Sequence, residues 1–207
     1  MSSSDINKNT PTENKKNKRV YFFVKRVCDV IGSLAILTIS APILLIAAVL
    51  IRIESKGPIL FKQSRIGKDG EPFTIYKFRS MYIDAPIKPS NDFSDSKIYT
   101  TKVGAVLRKS SLDEFPQLVN VIKGDMSLIG PRPVLAIEGD LISLRRESGV
   151  EKISPGLTGW AQVNGRTKIS NEEKAAYDLE YLQKQSLAFD IYILYKTIKL
   201  LLSGGEV

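Results

Sequence analysis

Between Val30 and Ile51 the chain carries no charged residue, and no other feature limits its fold as severely. As a straight helix at ~1.5 Å per residue the run would measure roughly 33 Å, long enough to cross the hydrocarbon core of a bilayer. Pro42 interrupts it: the residue lacks an N–H and its ring meets the carbonyl of Thr38, while Ser40 offers a hydroxyl to a freed backbone group. A sharp break is therefore expected at Ser40 and Pro42. Basic residues flank both ends, Lys25 and Arg26 before the run and Arg52, Lys56, Lys62, Arg65 and Lys68 after it. The positive-inside rule then asks both ends to stay on the cytoplasmic face. Residues 20–55 are accordingly read as a re-entrant, broken membrane helix, with one ordinary transmembrane helix as the alternative. Cleavage as a signal peptide near Ser40 to Pro42 would leave the second apolar half on the mature chain, which argues against that reading.

Residues 1–19 are rich in Ser, Asn, Thr and Lys and have almost nothing to bury, so they read as a disordered basic tail. Lys15, Lys16, Lys18 and Arg19 extend the cationic collar before the apolar run. The 207 residues carry a formal net charge of +8 and no histidine. Without histidine, Ser-His-Asp and Cys-His catalysis and the usual zinc sites are excluded, leaving Asp, Glu, Lys, Tyr or the single Cys28 as acid, base or nucleophile. Cys28 lies in an apolar stretch and is expected to be a packed, unreactive thiol. The basic excess suits nucleic acid, anionic lipid or a phosphorylated substrate. Since it flanks an apolar segment and no nucleic-acid motif accompanies it, the membrane surface is favoured.

Residues 56–207 read as one folded domain, the catalytic one if the chain is an enzyme. Ile59–Gln63 and Phe73–Phe78 form a β-hairpin through a connection containing Asp69-Gly70. Lys77 and Arg79, on its second strand or just beyond, are candidates for binding a phosphorylated substrate. Asp84–Asp95 is loop, and Thr101 caps a short helix to Lys109 that delivers Arg108 beside Asp113 and Glu114. These adjacent acids open a helix through Phe115, Leu118, Val119 and Ile122 that Gly124 can close. Ser111 and Glu114 fit a capping box, but Pro116 objects to that register, so Asp113 is preferred as the cap. On spacing alone, two acids that merely cap a helix are a better reading than a catalytic pair, since acidic first turns are common. Arg132 sits between Pro131 and Pro133, which stiffen the backbone around it; it reads as a surface arginine in a rigid turn or as one preset to grasp a phosphate. Val134–Glu147 looks helical. Ser154–Arg166 is mostly loop, where Gln162, Asn164 and Arg166 could read a base, sugar hydroxyls or phosphate, with Trp160 as packing. Ser170 and Glu173 make a capping box for a helix to about Gln185. Leu187–Leu202 is too short and too charged to span, so it packs on the core or lies at the interface. The fold class is α+β, predominantly helical: a small β-hairpin and several helices around one site.

The strings Leu112-Asp113-Glu114 with Pro116-Gln117-Leu118, Lys123-Gly124-Asp125-Met126-Ser127, Gly130-Pro131-Arg132-Pro133 and Pro155-Gly156-Leu157-Thr158-Gly159-Trp160-Ala161-Gln162-Val163-Asn164-Gly165-Arg166 closely resemble the bacterial sugar transferases, the monotopic polyprenol-phosphate phosphoglycosyl transferases. The resemblance runs from about Lys25 to the C-terminus. It implies an enzyme that moves a phosphosugar from a UDP-sugar to polyprenol (undecaprenyl) phosphate and releases UMP, the first membrane step of glycoconjugate assembly. By resemblance Asp113 is the nucleophile that forms an aspartyl-phosphosugar, Glu114 helps bind Mg²⁺, and Asp125 joins the substrate-binding set. It also implies a re-entrant helix with a Ser-Pro break, here loosened because Ala41 separates Ser40 from Pro42, and a catalytic domain on the cytoplasmic side of the inner membrane. A homodimer is compatible with it. Two alternatives stay open: a non-catalytic membrane-surface module that binds anionic lipid, and, within the enzyme class, Asp113 as a general base in a ternary complex.

Overall fold

The computed structural model describes residues 11–86, 96–165 and 169–203. Its first element, α1 (Pro11–Glu54), runs for 44 residues with Pro42 inside it. From Thr12 to Ala41 the sequence has one glycine and no proline, so once the apolar segment is helical each further residue adds a hydrogen bond at little entropic cost. Pro11–Arg19, expected to be disordered tail, therefore belong to the helix; residues 1–10 of that tail lie outside the described residues. The expected sharp break is not seen as an interruption. The helix continues through Pro42, and the Ser40 hydroxyl donates to the Ile36 carbonyl at 2.6 Å, a back-bond that bends helices without ending them. Cys28, expected to be packed, is exposed on α1.

Both ends of the apolar run of α1 are fastened to the same body. Toward its start Lys25 pairs with Asp190 at 3.1 Å, Arg26 donates to the carbonyls of Val121 and Ile122, and Asp29 accepts from the Ser127 hydroxyl and the Leu128 N–H. Toward its end Ala47 and Ile51 pack with Phe78 and Leu107, Glu54 accepts the N–H groups of Lys102 and Val103, and Arg79 donates to the carbonyls of Ser55 and Lys56. Between these anchors large apolar side chains face outward, Ile39 at 81 % and Leu45 at 68 % exposure.

Strands β1 (Leu60–Ile66) and β2 (Pro72–Phe78) pair antiparallel from Leu60↔Phe78 to Ile66↔Pro72, as the sequence reading expects. A turn through Lys68–Gly70 joins them with Asp69 in the left-handed region. After α2 (Ser96–Tyr99) comes α3 (Lys102–Lys109), capped as expected by Thr101, which accepts from the Gly104 N–H at 2.9 Å. Neither helix register proposed for the acid pair holds. Leu112–Gln117 form a 3₁₀ segment after Ser111, which lies at φ 56 and makes no capping bond, and only then does α4 (Leu118–Lys123) begin, closed by Gly124 at φ 100. The tighter winding accommodates Pro116, whose missing N–H is not required there.

Strand β3 (Ser127–Ile129) runs parallel to β4 (Gly156–Thr158), and α6 (Trp160–Asn164) follows directly. The stretch expected to be mostly loop is thus largely structured. Glycines make this possible: a Cβ on Gly156 would lie 2.1 Å from the Gly130 nitrogen, so the backbones meet only where side chains are missing. The helix expected over Val134–Glu147 shortens to α5 (Gly139–Glu147), because Val134 instead bridges to Ile66 and the Glu138 carboxylate accepts the Leu135 N–H at 2.6 Å. Helix α7 (Asn171–Lys184) carries the expected Ser170–Glu173 capping box, and α8 (Leu187–Leu202) buries Asp190, Ile193 and Thr197 against the core. Ile193 there meets Ile129 and Tyr181.

Candidate active site

The 3₁₀ segment places Asp113 and Glu114 against β2, and the two carboxylates receive unequal treatment. One oxygen of Glu114, Oε1, accepts from Lys77 Nζ at 2.6 Å and from Arg132 Nη2 at 2.8 Å, in a side chain 13 % exposed. Burial alone would raise its pKa, but Arg132 and Lys77 outweigh that and hold the carboxyl well below the usual range. Asp113 is equally sheltered, with 9 % exposure, yet accepts no hydrogen bond from a described residue. Burial first and the Glu114 charge second push its pKa up to about 6, against the pull of Lys77, Arg108 and Arg132. Lys77 itself is lowered by burial, while Glu114 raises Arg132. Two carboxylates facing three cations leave a local positive excess, suited to a substrate diphosphate.

Each cation has a local reason to be there. Lys77 comes from β2, whose Ile75 and Phe78 are buried in the core while the lysine turns to the acids. Arg108 lies in the last turn of α3, where its Nη1 donates to Thr100 Oγ1 at 3.3 Å. Arg132 stands on the irregular segment after β3. The carbonyls of Pro131, Arg132 and Pro133 accept in turn from Gly156 N at 2.9 Å, Arg145 Nη1 at 2.8 Å and Arg65 Nη1 at 3.4 Å.

Other candidates from the sequence are engaged elsewhere. Arg79 is 5 % exposed and binds Ser55 and Lys56 at the end of α1, so its guanidinium is not brought to the acids. Asp125 accepts from Asn120 Nδ2 at 3.1 Å inside the turn after α4. Gln162 is 3 % exposed and donates to the Leu157 carbonyl; Asn164 donates to Trp160 O and accepts from Lys196. Trp160 packs among Tyr177, Phe189 and Tyr192 and donates to Glu180, as expected of a structural tryptophan. Arg166 lies outside the described residues. Two groups escaped sequence reasoning. Asn120, fully buried, accepts the Tyr76 N–H and donates to the Thr74 carbonyl, tying β2 to α4; its signal was an amide on the apolar face between Leu118 and Val121. The buried pair Arg145–Asp178 spans residues too far apart for any sequence pattern to join.

A magnesium ion, which the resemblance implies, would find one carboxylate oxygen here without a hydrogen bond. Both contacts of Glu114 fall on Oε1, leaving Oε2 without a hydrogen bond from a described residue, and no group of three or more His, Cys, Asp or Glu side chains that could hold a metal ion occurs among the described residues. A site of one or two carboxylates that is completed by substrate phosphate oxygens is the usual arrangement for this cation.

Comparison with known proteins adds an independent observation. A family model described as bacterial sugar transferase matches residues 20–204. The chain is 40 % identical over 185 residues to the Uncharacterized sugar transferase EpsL of Bacillus subtilis, covering 88 % of this chain and 89 % of that one. It is 41 % identical to the UDP-glucose:undecaprenyl-phosphate glucose-1-phosphate transferase of Caulobacter vibrioides, across 86 % of this chain and 70 % of the relative. Against the UDP-N-acetylgalactosamine-undecaprenyl-phosphate N-acetylgalactosaminephosphotransferase of Aeromonas hydrophila identity is 38 % over 89 % of this chain, but the match spans only 45 % of that longer protein.

Proposed function

Because the chain belongs to the bacterial sugar transferase family, we propose that it transfers a sugar 1-phosphate from a UDP-sugar to undecaprenyl phosphate and releases UMP, with Asp113 as the covalent nucleophile. The observation that carries the reading is the asymmetry of the acid pair: Glu114 is clamped by two cations, whereas Asp113, its neighbour about a third of a turn away, is sheltered and accepts no hydrogen bond from a described residue. An ionised Asp113 oxygen attacks the β-phosphorus, the bond from that phosphorus to the UMP oxygen breaks, and UMP departs. An oxygen of undecaprenyl phosphate then attacks the same phosphorus and returns the carboxylate. Lys77, Arg108 and Arg132 stabilise the charge on the transferring group, and Glu114 keeps the two nearest of them aligned. Glu114 would help hold Mg²⁺, which when bound would neutralise phosphate charge. Asp125, Gln162 and Asn164 would serve donor binding only indirectly, through the turns and the short helix that their hydrogen bonds brace.

The same reading puts α1 in one leaflet. Its Lys18–Glu54 portion is long and apolar enough to cross a membrane, yet its two ends bind one body, at Asp190 and at Lys102 and Val103. A helix so fastened that also crossed the bilayer would need that body on both faces at once. Entry and return, with the bend at Ser40 and Pro42, keeps the contacts and the flanking charges together and brings lipid phosphate to a cytoplasmic site.

The test is trapping. Protein incubated with Mg²⁺ and a UDP-sugar labelled in its β-phosphate, without lipid, should become labelled, and added undecaprenyl phosphate should chase the label off. Asp113→Asn should take up none. Labelling of that variant at wild-type stoichiometry would refute the nucleophile, and UMP release that requires lipid, with no labelling, would favour a general base instead. No UMP release from any UDP-sugar would remove the activity.

A further inference from the structure

Among the cations at the acid pair, Lys77 stands on a strand and Arg108 on a helix, but Arg132 stands on neither. Its neighbours are prolines, so Pro131-Arg132-Pro133 offers one backbone N–H and three carbonyls. Such a segment is fixed mainly through what binds its acceptors. Of the three donors that do so, the Pro131 partner is a backbone N–H, and Arg65 reaches Pro133 at 3.4 Å while also facing Glu138 at 3.8 Å. Arg145 makes the short side-chain bond, 2.8 Å to the carbonyl of Arg132 itself.

We infer that Arg145, backed by Asp178, is a positioning residue for the transfer reaction: its guanidinium holds the Arg132 carbonyl and so fixes the side chain that braces Glu114. The inference rests on the proposed function for what Arg132 and Glu114 do, and on geometry for the rest. Arg145 is 8 % and Asp178 1 % exposed. Arg145 Nε and Nη2 both donate to Asp178 Oδ2, at 2.9 and 2.6 Å, while Nη1 points the other way to Arg132. A planar guanidinium bound on one edge by a carboxylate cannot rotate, so its remaining N–H groups have fixed directions. The chain of contacts therefore runs from α7 through α5 to the one cation of the site that has no regular element beneath it. A buried ion pair gives little net stability compared with an apolar pair of equal volume, so the fold alone gives weak reason for burying this one. Neither residue touches the acid pair; both act through Arg132.

Arg145→Lys keeps a positive charge for Asp178 but replaces the fork with a single ammonium. Expected is a loss of roughly 10- to 100-fold in kcat for UMP release, with KM for the UDP-sugar changing less and the melting temperature staying near wild type. In an Arg132→Gln background the same substitution should cost less than about twofold more, because coupled groups are not additive. Multiplicative losses would overturn the inference. Asp178→Asn, which keeps a neutral acceptor of the same shape, serves as the second variant and should show the same non-additivity. A readout free of turnover separates this inference from the functional one. The order parameter of the Arg132 Nε–H group, measured by NMR on the full chain in lipid nanodiscs, should fall in Arg145→Lys. An unchanged value overturns the inference even in an active transferase; a fallen value in a protein that releases no UMP overturns the functional reading alone.

Discussion

A carboxylate that attacks phosphorus must be ionised, sheltered from water and unclaimed by other donors, and shelter works against ionisation. Asp113 shows that conflict in its pKa of about 6, and two outcomes follow at the scale of this residue. Trapping should decline as pH falls through about 6. Stability should move the other way: folded Asp113 binds its proton more tightly than the unfolded chain with its ordinary value of 3.8, so stability is lost as pH rises between those values and stays lost above them. Asp113→Asn removes that loss. In the presence of a chelator the variant should melt above wild type at pH 8, by up to ~3 kcal/mol, and the gap should close by about pH 4, which paired thermal scans at the two pH values would read. A variant that melts below wild type at pH 8 would show that the carboxylate is not strained by burial. Arginines separate by the same logic. Arg132→Lys loses the planar reach to Glu114 and should lower UMP release at least ~10-fold with little change in melting, whereas Arg79→Gln strands the Ser55 and Lys56 carbonyls just past α1 and should lower stability by ~2 to 4 kcal/mol while leaving trapping per folded molecule near wild type. Measuring melting and trapping on both variants distinguishes a site arginine from a clamp.

At the scale of elements, what brings Arg132 to the acids is the short parallel pairing of β3 with β4, and that pairing depends on missing side chains. A methyl on Gly156 would meet Gly130 nitrogen at 2.1 Å and Thr158 oxygen at 2.4 Å, both backbone atoms that have nowhere to move. Gly156→Ala should cost at least ~2 kcal/mol, the scale of a serious overpacking defect, and its effect on trapping should exceed its effect on melting because the Arg132 segment shifts first. Equal melting and trapping in wild type and variant would mean that the two strands separate without consequence. The 3₁₀ winding of Leu112–Gln117 has a similar logic. It carries the acid pair and admits Pro116 in one step, and the left-handed Ser111 at φ 56 turns the chain sharply out of α3 into it.

For the molecule as a whole, the anchoring of α1 on both sides of its apolar run is the decisive observation. Lys25 and Asp190 join the residues before the run to α8 with both side chains at or below 10 % exposure, Glu54 joins the residues after it to α3, and Arg79, just past β2, binds the chain where it leaves the helix. Single cysteines at Lys18 and Ser203, each in a Cys28→Ala background, should resist an impermeant thiol reagent on intact cells and react once the membrane is opened. Labelling of the Lys18 position in intact cells would mean that α1 spans. Pro42→Ala with Ser40→Ala restores the N–H toward Thr38 and removes the back-bond, so this pair should favour a straight span and make that same position reactive.

Local patterns suffice wherever the deciding interactions lie within a few residues. The uncharged run to Ile51, the hairpin across Asp69-Gly70, the Thr101 cap and the Ser170–Glu173 capping box could all be read from the sequence, because hydropathy, turn preference and side-chain caps act over one or two turns of chain. The acid pair was legible for the same reason, and its motifs carried the family. What the sequence left undecided is everything set by contacts between distant residues. Val134 leaves a helical pattern to bridge Ile66, Gly156 becomes a strand only because Gly130 lies against it, and Arg79, basic and beside the hairpin like Lys77, is buried under α1 instead of facing Glu114. Asp113 and Glu114 are adjacent and chemically alike; only the tertiary structure distinguishes them, setting Lys77 and Arg132 on Glu114 and leaving Asp113 sheltered with no hydrogen bond from a described residue.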